Sequence, residues 1–337
     1  MTQIKNTGRI EILHLLRGLA ALSVCLFHFT SFGIQDFDLL PEGNWLRMLG
    51  AKGYLGIHVF FILSGFLVPY SAYKGGYTYG KWFSFLKRRL VRIEPPYIMS
   101  VLIMFFGYYF LSRYKNWLFP WGIKDLIYNI TYLVEWVNGS WINVTYWTLA
   151  IEFQFYVLLI FILPLIFNSK KWVRYVCFIV LGCITIAFKS KAFLFGHLPL
   201  FMIGMVMAQF YLGLWKKLEY TLLLLGGLGV LAYQYYSVDV WVLGIAVLTL
   251  VVFHLCQQMK PINGYLGDIS YSLYITHCII LAFGYGTMLI FWKGWQGSLV
   301  WGYVLVIIGI LSSIAFAHVF YKLIERPAQQ LSRRLGK

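Results

Sequence analysis

Residues 10–33 read IEILHLLRGLAALSVCLFHFTSFG. The run exceeds the about 20 mainly apolar residues that a helix needs to cross a bilayer. It is too long for the apolar region of a cleavable signal peptide and ends without a small-residue cleavage site, so it is expected to stay in the chain. Among the ionisable groups that interrupt it are Arg17 and, eleven positions later, His28. Eleven steps of about 100° come to within about 20° of whole turns, so both lie on one helix face, separated by roughly 16 Å along the axis. His14 lies near the same stripe. Such groups in a membrane helix face the protein interior or water, and function is the default hypothesis for them. A snorkelling arginine and a hydrogen-bonded histidine are the plainer account of the same stripe.

Composition carries the membrane reading to the whole chain. Of 337 residues, 60% are hydrophobic and only 12% charged, whereas a soluble domain carries about 25% charged residues. Aromatics make up 20%, as fits a chain that meets two membrane–water interfaces. Lys and Arg number 28 against 12 Asp and Glu. The excess follows the segments between apolar runs rather than forming a basic domain, which argues against nucleic acid. Cys25, Cys177, Cys183, Cys256 and Cys278 all fall inside apolar stretches without a CxxC pair, and are expected to be small buried hydrophobes. HExxH, GxSxG and Walker patterns are absent, which removes those hydrolase and ATPase readings.

The expected fold is an all-α polytopic membrane protein, one domain over 1–337, with ten spans: 10–33, 53–73, 94–112, 145–167, 172–188, 193–212, 218–236, 239–257, 267–291 and 297–322. The stretch 119–137 is apolar but carries Lys124, Asp125 and Glu135, and reads as interfacial or re-entrant. With both termini cytoplasmic, the inside segments hold 19 of the 28 basic residues and the outside segments eight, in keeping with the positive-inside rule.

Three further features carry chemistry. His58 in GIHVFFILSGF and Glu152 in YWTLAIEFQFY are expected at a depth similar to that of His28, and a meeting of the three would supply a general base and a group to orient it. Glu152 as the structural partner of an arginine explains its burial equally well. The inside segment 74–93 holds Lys81, Lys87, Arg88, Arg89 and Arg92. Arg89 and Arg92, three apart, would form a paired guanidinium face on a helical turn, suited to phosphate oxygens; topology and lipid headgroups explain the same charges. His277 in SYSLYITH is expected to be buried, whereas His197, His254 and His318 fall near span ends, where structural roles suffice.

Taken in order, Arg17 with His28, GIHVFFILSGFL, Arg89 and Arg92 leading to Pro95, Pro96 and Tyr97, YWTLAIEFQFY, SYSLYITH and Glu325-Arg326-Pro327 resemble the acyltransferase-3 family of integral membrane acyltransferases over nearly the whole chain. The resemblance implies transfer of an acyl group, usually acetyl, from cytoplasmic acyl-CoA to a hydroxyl of a cell-surface or lipid-linked carbohydrate, with no metal, in a bacterial cytoplasmic membrane. On that reading His28, Glu152 and Arg17 are catalytic, with His28 as general base or as carrier of the acyl group. Arg88, Arg89 and Arg92 bind the acetyl-CoA, and His58, Trp147 and Glu152 meet the acceptor. Many relatives carry Asp where this chain has His58, which weakens the transfer of a role to it. With about fifteen residues after Tyr321, the chain is expected to be a stand-alone member without a fused hydrolase-like domain. The rival reading from another class is a transporter or exporter of a glycolipid or small solute; it has no work for the RxxR segment, and no paired half-sequences are visible.

Overall fold

The computed structural model describes residues 11–31, 39–256, 264–285 and 298–335. The ends of several expected spans (10, 32–33, 257, 286–291 and 297) and part of the expected inside segment 258–266 lie outside these residues. Among the described residues there are helices and no strand.

The helix α1 (Glu11–Thr30) opens with Glu11 in its first turn, where an acid suits the positive end of the helix dipole. A short α2 (Trp45–Gly50) starts at Asn44, whose side chain accepts from the Leu46 and Arg47 amides, the usual way to satisfy first-turn donors. Then come α3 (Gly56–Lys74), α4 (Trp82–Lys115), α5 (Ile123–Ile130), α6 (Trp147–Ile166) and α7 (Lys171–Ala187). They are followed by α8 (Leu198–Tyr211), α9 (Lys217–Tyr235), α10 (Trp241–Leu255), α11 (Tyr265–Asp268) and α12 (Ser270–Ile279). Last are α13 (Leu299–Phe320) and α14 (Arg326–Arg334). Wide π-turns continue α12 over Ile280–Tyr285 and join α13 to α14 over Tyr321–Glu325.

Among the described residues, five helical stretches are long and apolar enough to cross a membrane: 11–30, 45–74, 79–115, 147–166 and 299–334. Large apolar side chains such as Phe110, Ile179, Leu222, Val300 and Leu311 are exposed around the bundle. In water they would be a liability; against lipid they are the required outer surface. The chain is an all-α integral membrane protein.

Packing sorts the helices into inner and outer ones. In α8 every residue from Leu198 to Gln209 is buried, as expected of a helix apolar all round. It lies against α3, where Gly65 and Gly204 face one another so closely that a Cβ on either would fall on the partner's backbone. In α9, by contrast, only Tyr220, Leu231, Gln234 and Tyr235 are buried. The central α1 packs on α3, α11, α12 and α13.

Several expected boundaries need correction. The segment 74–93 is not a loop throughout, because α4 begins at Trp82 and runs through Pro95 and Pro96. Residues 86–94 (LKRRLVRIE) are mostly good helix formers, and the two prolines remove amide donors without ending the helix. That places Arg89 and Arg92 on one helical face. The stretch 193–212 is α-helical only from Leu198, after a single 3-10 turn at Leu194–Gly196; the 14 residues of α8 reach about 21 Å. The stretch 267–291 is broken between α11 and α12. Within 119–137 the longest helix is the eight-residue α5, about 12 Å and far short of a span. All five cysteines are free thiols; Cys183, expected inside, is exposed on the outer face of α7.

Candidate functional site

One cavity of about 770 Å³ opens among α1, α3, α4, α6, α12 and α14, a size common to small-molecule sites. One end is strongly basic: Lys74 at the close of α3, Arg89 and Arg92 from α4, and Arg333 from α14 all line it. Arg17 reaches it from α1, in electrostatic range of Arg92, Glu325 and Glu152. Arg89 donates to the Ser71 hydroxyl and lies over the Phe85 ring. Arg88, one position round the helix, does not line the cavity; its Nε donates to the Ser84 carbonyl at 3.2 Å.

Glu152 lies on the same wall. Its Oε1 accepts from Ser64 Oγ at 3.0 Å and from the Tyr156 hydroxyl. It is a fixed carboxylate among arginines. Tyr156, one turn away at i+4, was legible in the sequence as a neighbour of Glu152, whereas Ser64 comes from another helix and carried no signal. Glu325, from the Glu-Arg-Pro triplet, is buried at the cavity edge and accepts from the Ser272 amide and hydroxyl and from Gln329.

The opposite end of the cavity closes on Phe60, Thr148 and Tyr274. Tyr274 Oη and Thr148 Oγ1 share a hydrogen bond of 2.7 Å, and the Phe60 ring stands edge-on to Tyr274 at 5.4 Å. Beyond Tyr274, whose ring centroid is 6.2 Å from that of His277, lies a buried histidine pair. His277 Nε2 is 3.2 Å from His28 Nδ1. His28 Nδ1 also meets the Val24 carbonyl at 2.9 Å, and His277 Nδ1 meets the Leu273 carbonyl at 3.0 Å.

His28, His58 and Glu152 therefore do not meet. Glu152 faces the cavity, and neither His28 nor His58 lines it. Equal depth on three helices does not bring side chains together when they leave their helices in different directions. The imidazole that His28 does meet is His277. His58 sits between the Tyr54 and Tyr235 rings at 6.3 and 5.7 Å, with its Nδ1 unpartnered among the described residues. Trp147 packs 5.4 Å from His197, whose Nδ1 is 2.8 Å from the Tyr235 hydroxyl. These two expected acceptor residues thus share one aromatic cluster around Tyr235 and His197, to one side of the cavity.

His28, His277 and Cys278 offer ligand atoms within 4.8 Å of one another, the one grouping with metal-ligand spacing among the described residues. Both Nδ1 atoms already face carbonyls, and the rings contact each other directly. The trio is satisfied as a hydrogen-bonded pair beside a thiol.

Comparison with known proteins agrees with the family resemblance. The O-acetyltransferase OatA of Staphylococcus aureus is 27% identical over 97% of this chain and 60% of its own length; the chain thus spans about three-fifths of that relative. The acyltransferase MdmB of Streptomyces mycarofaciens is 31% identical over 44% of the chain and 38% of its own length. The regulator of hypoxia-inducible factor 1 of Caenorhabditis elegans is 26% identical over 50% of the chain and 36% of its own length. No solved structure matches. Residues 10–318 match the acyltransferase domain that defines the acyltransferase-3 family, and the chain belongs to that family.

Proposed function

We propose that the protein is a membrane O-acyltransferase that carries an acyl group, acetyl in the first instance, from acyl-CoA to a hydroxyl of a cell-surface or lipid-linked carbohydrate. The observation that carries this reading is the basic-ended cavity in a member of an acyltransferase family. Guanidinium groups paired on one helical face suit the phosphates of CoA, so Arg89 and Arg92 hold them, and Arg88 adds long-range attraction from the same end. On this reading the chain makes ten crossings with both termini on the cytoplasmic side, an arrangement that the bias of the basic segments supports. It puts the cavity mouth toward cytoplasmic acyl-CoA, and a bacterial cytoplasmic membrane is the fitting location.

The pantetheine arm then runs up the cavity toward Tyr274. His28 Nε2 takes the proton of the acceptor hydroxyl as its oxygen attacks the thioester carbonyl carbon. The C–S bond breaks, and the CoA thiolate leaves with the proton from His28. Arg17 lies roughly 16 Å below His28 along α1, too far to hold an oxyanion formed beside it, so its contribution is to the donor. Glu152 keeps the arginines in register and contacts the donor arm. The acceptor approaches from the side of His58 and Trp147.

The test is release of CoA thiol from acetyl-CoA by the purified protein, together with acetyl-CoA binding. Wild type binds and turns over; Arg89→Ala/Arg92→Ala loses at least about tenfold in affinity; His28→Ala binds but does not turn over. A wild-type protein that ignores acetyl-CoA overturns the reading and moves a carrier to the front.

A further inference from the structure

We propose that His277 is the positioning residue for His28: together with the Val24 carbonyl it holds the proton of the His28 ring on Nδ1, so that Nε2 is the basic nitrogen of the neutral imidazole. The inference rests on the acyl-transfer reading and deepens it.

The argument is one of donors and acceptors. A backbone carbonyl can only accept, so the 3.0 Å contact between His277 Nδ1 and the Leu273 carbonyl requires a proton on that nitrogen. In the neutral ring, His277 Nε2 is then an acceptor. His28 Nδ1 faces two acceptors, the Val24 carbonyl at 2.9 Å and His277 Nε2 at 3.2 Å. Only a protonated Nδ1 satisfies both; a lone pair there would face two others in a buried site. The Cys278 thiol, 3.5 Å from His277 Nε2, is a weak donor and fits the same assignment.

This arrangement does for His28 what an orienting group does for a catalytic imidazole: it reinforces the tautomer that the Val24 carbonyl also requires, holds the ring plane, and shares the charge when Nε2 takes a proton. Here the orienting group is a neutral imidazole, itself held by its own helix at i−4. His277 is fully buried, and a structural role alone would need only its bond to Leu273, with no second ring at hydrogen-bond distance.

The experiment uses the full chain in detergent with acetyl-CoA as the probe, thiol release for turnover and thermal unfolding as the folding control. A general base is worth roughly 100- to 10,000-fold, and His277→Leu is expected to forfeit at least about tenfold of that in kcat with the KM for acetyl-CoA unchanged. His277→Gln, whose side-chain carbonyl can accept from His28 Nδ1, is expected to recover most of the loss. His277→Asn, one methylene shorter, is expected to recover little, so the Gln–Asn contrast reads the pairing even where the Leu variant does not fold. Full kcat in a folded His277→Leu protein, or Gln no better than Asn, overturns the pairing while His28→Ala stays inactive. Full turnover by His28→Ala instead overturns the base assignment beneath it.

Discussion

Glu325 Oε2 accepts two hydrogen bonds from Ser272, one from its amide at 3.1 Å and one from its hydroxyl at 2.5 Å. The contact joins the Glu-Arg-Pro triplet near the end of the described chain to the SYSLYITH motif, 53 positions earlier. A carboxylate meeting an amide in the first turn of α12 also suits the dipole of that helix, and α12 carries Tyr274 and His277 toward the bundle centre.

Glu325→Ala should therefore destabilise the protein by about 1–3 kcal/mol, the cost of leaving buried donors unsatisfied. It should lower turnover as well, because α12 loses its anchor and Arg17 and Arg92 lose a nearby anion. Thermal unfolding in detergent checks the first effect. An unchanged transition would mean that Ser272 finds another acceptor.

Glu152 separates two accounts of its role. It is held by Ser64 and Tyr156 on the cavity wall, and on the proposed reading it belongs with the donor. Glu152→Gln is expected to change the KM for acetyl-CoA and leave the acceptor KM unchanged. The opposite pattern, measured with each substrate varied in turn, would return Glu152 to the acceptor.

The α3–α8 contact predicts a steric effect with an internal control. A Cβ at Gly204 would fall on the Ile62 carbonyl and the Phe66 amide, while Gly229 on α9 has open space around it. Gly204→Ala should cost about 1–3 kcal/mol or more through overpacking. Gly229→Ala should be neutral or stabilising by up to about 1 kcal/mol, since a helical glycine is replaced by a better helix former. Equal unfolding temperatures for the two variants would refute the close packing.

Lys191, in the connection between α7 and α8, supplies a pH test. Its ammonium lies 3.4 Å from the Tyr235 ring centroid and donates to the Gly196 carbonyl at 2.9 Å. Burial pushes its pKa down from 10.5 to about 8. Below about pH 8 the amine is charged in both states, and the folded state bears the desolvation cost. Between about 8 and 10.5 the folded protein has released a proton that the unfolded chain still holds, so stability rises with pH across that window. Lys191→Met should flatten the rise, as read by unfolding temperature against pH.

Much of the fold could be read from residues in order, because a bilayer allows few solutions: runs of apolar residues must close their own backbone hydrogen bonds, and helices do so. Each expected span contains a helix within its described part. Boundaries went astray where context overrode local signals, as at Pro95 and Pro96 inside α4. The face shared by Arg89 and Arg92 was also legible, since it needs only helical periodicity. The company kept by His28 was not. Sequence put His28, His58 and Glu152 at one depth, but azimuth about each helix and the packing between helices send Glu152 to the cavity, His58 to the Tyr54–Tyr235 cluster and His28 to His277.

By itself, then, the sequence determined the solvent, the helical class, the order of the helices and the family, because hydropathy, charge bias and motif spacing are properties of the chain read along its length. Only the tertiary structure decided which groups touch: Glu152 with Ser64, Glu325 with Ser272, His28 with His277. Those contacts join residues 53 to 249 positions apart, and they depend on how close glycines let helices approach and on which way each helix is turned. No local pattern encodes either.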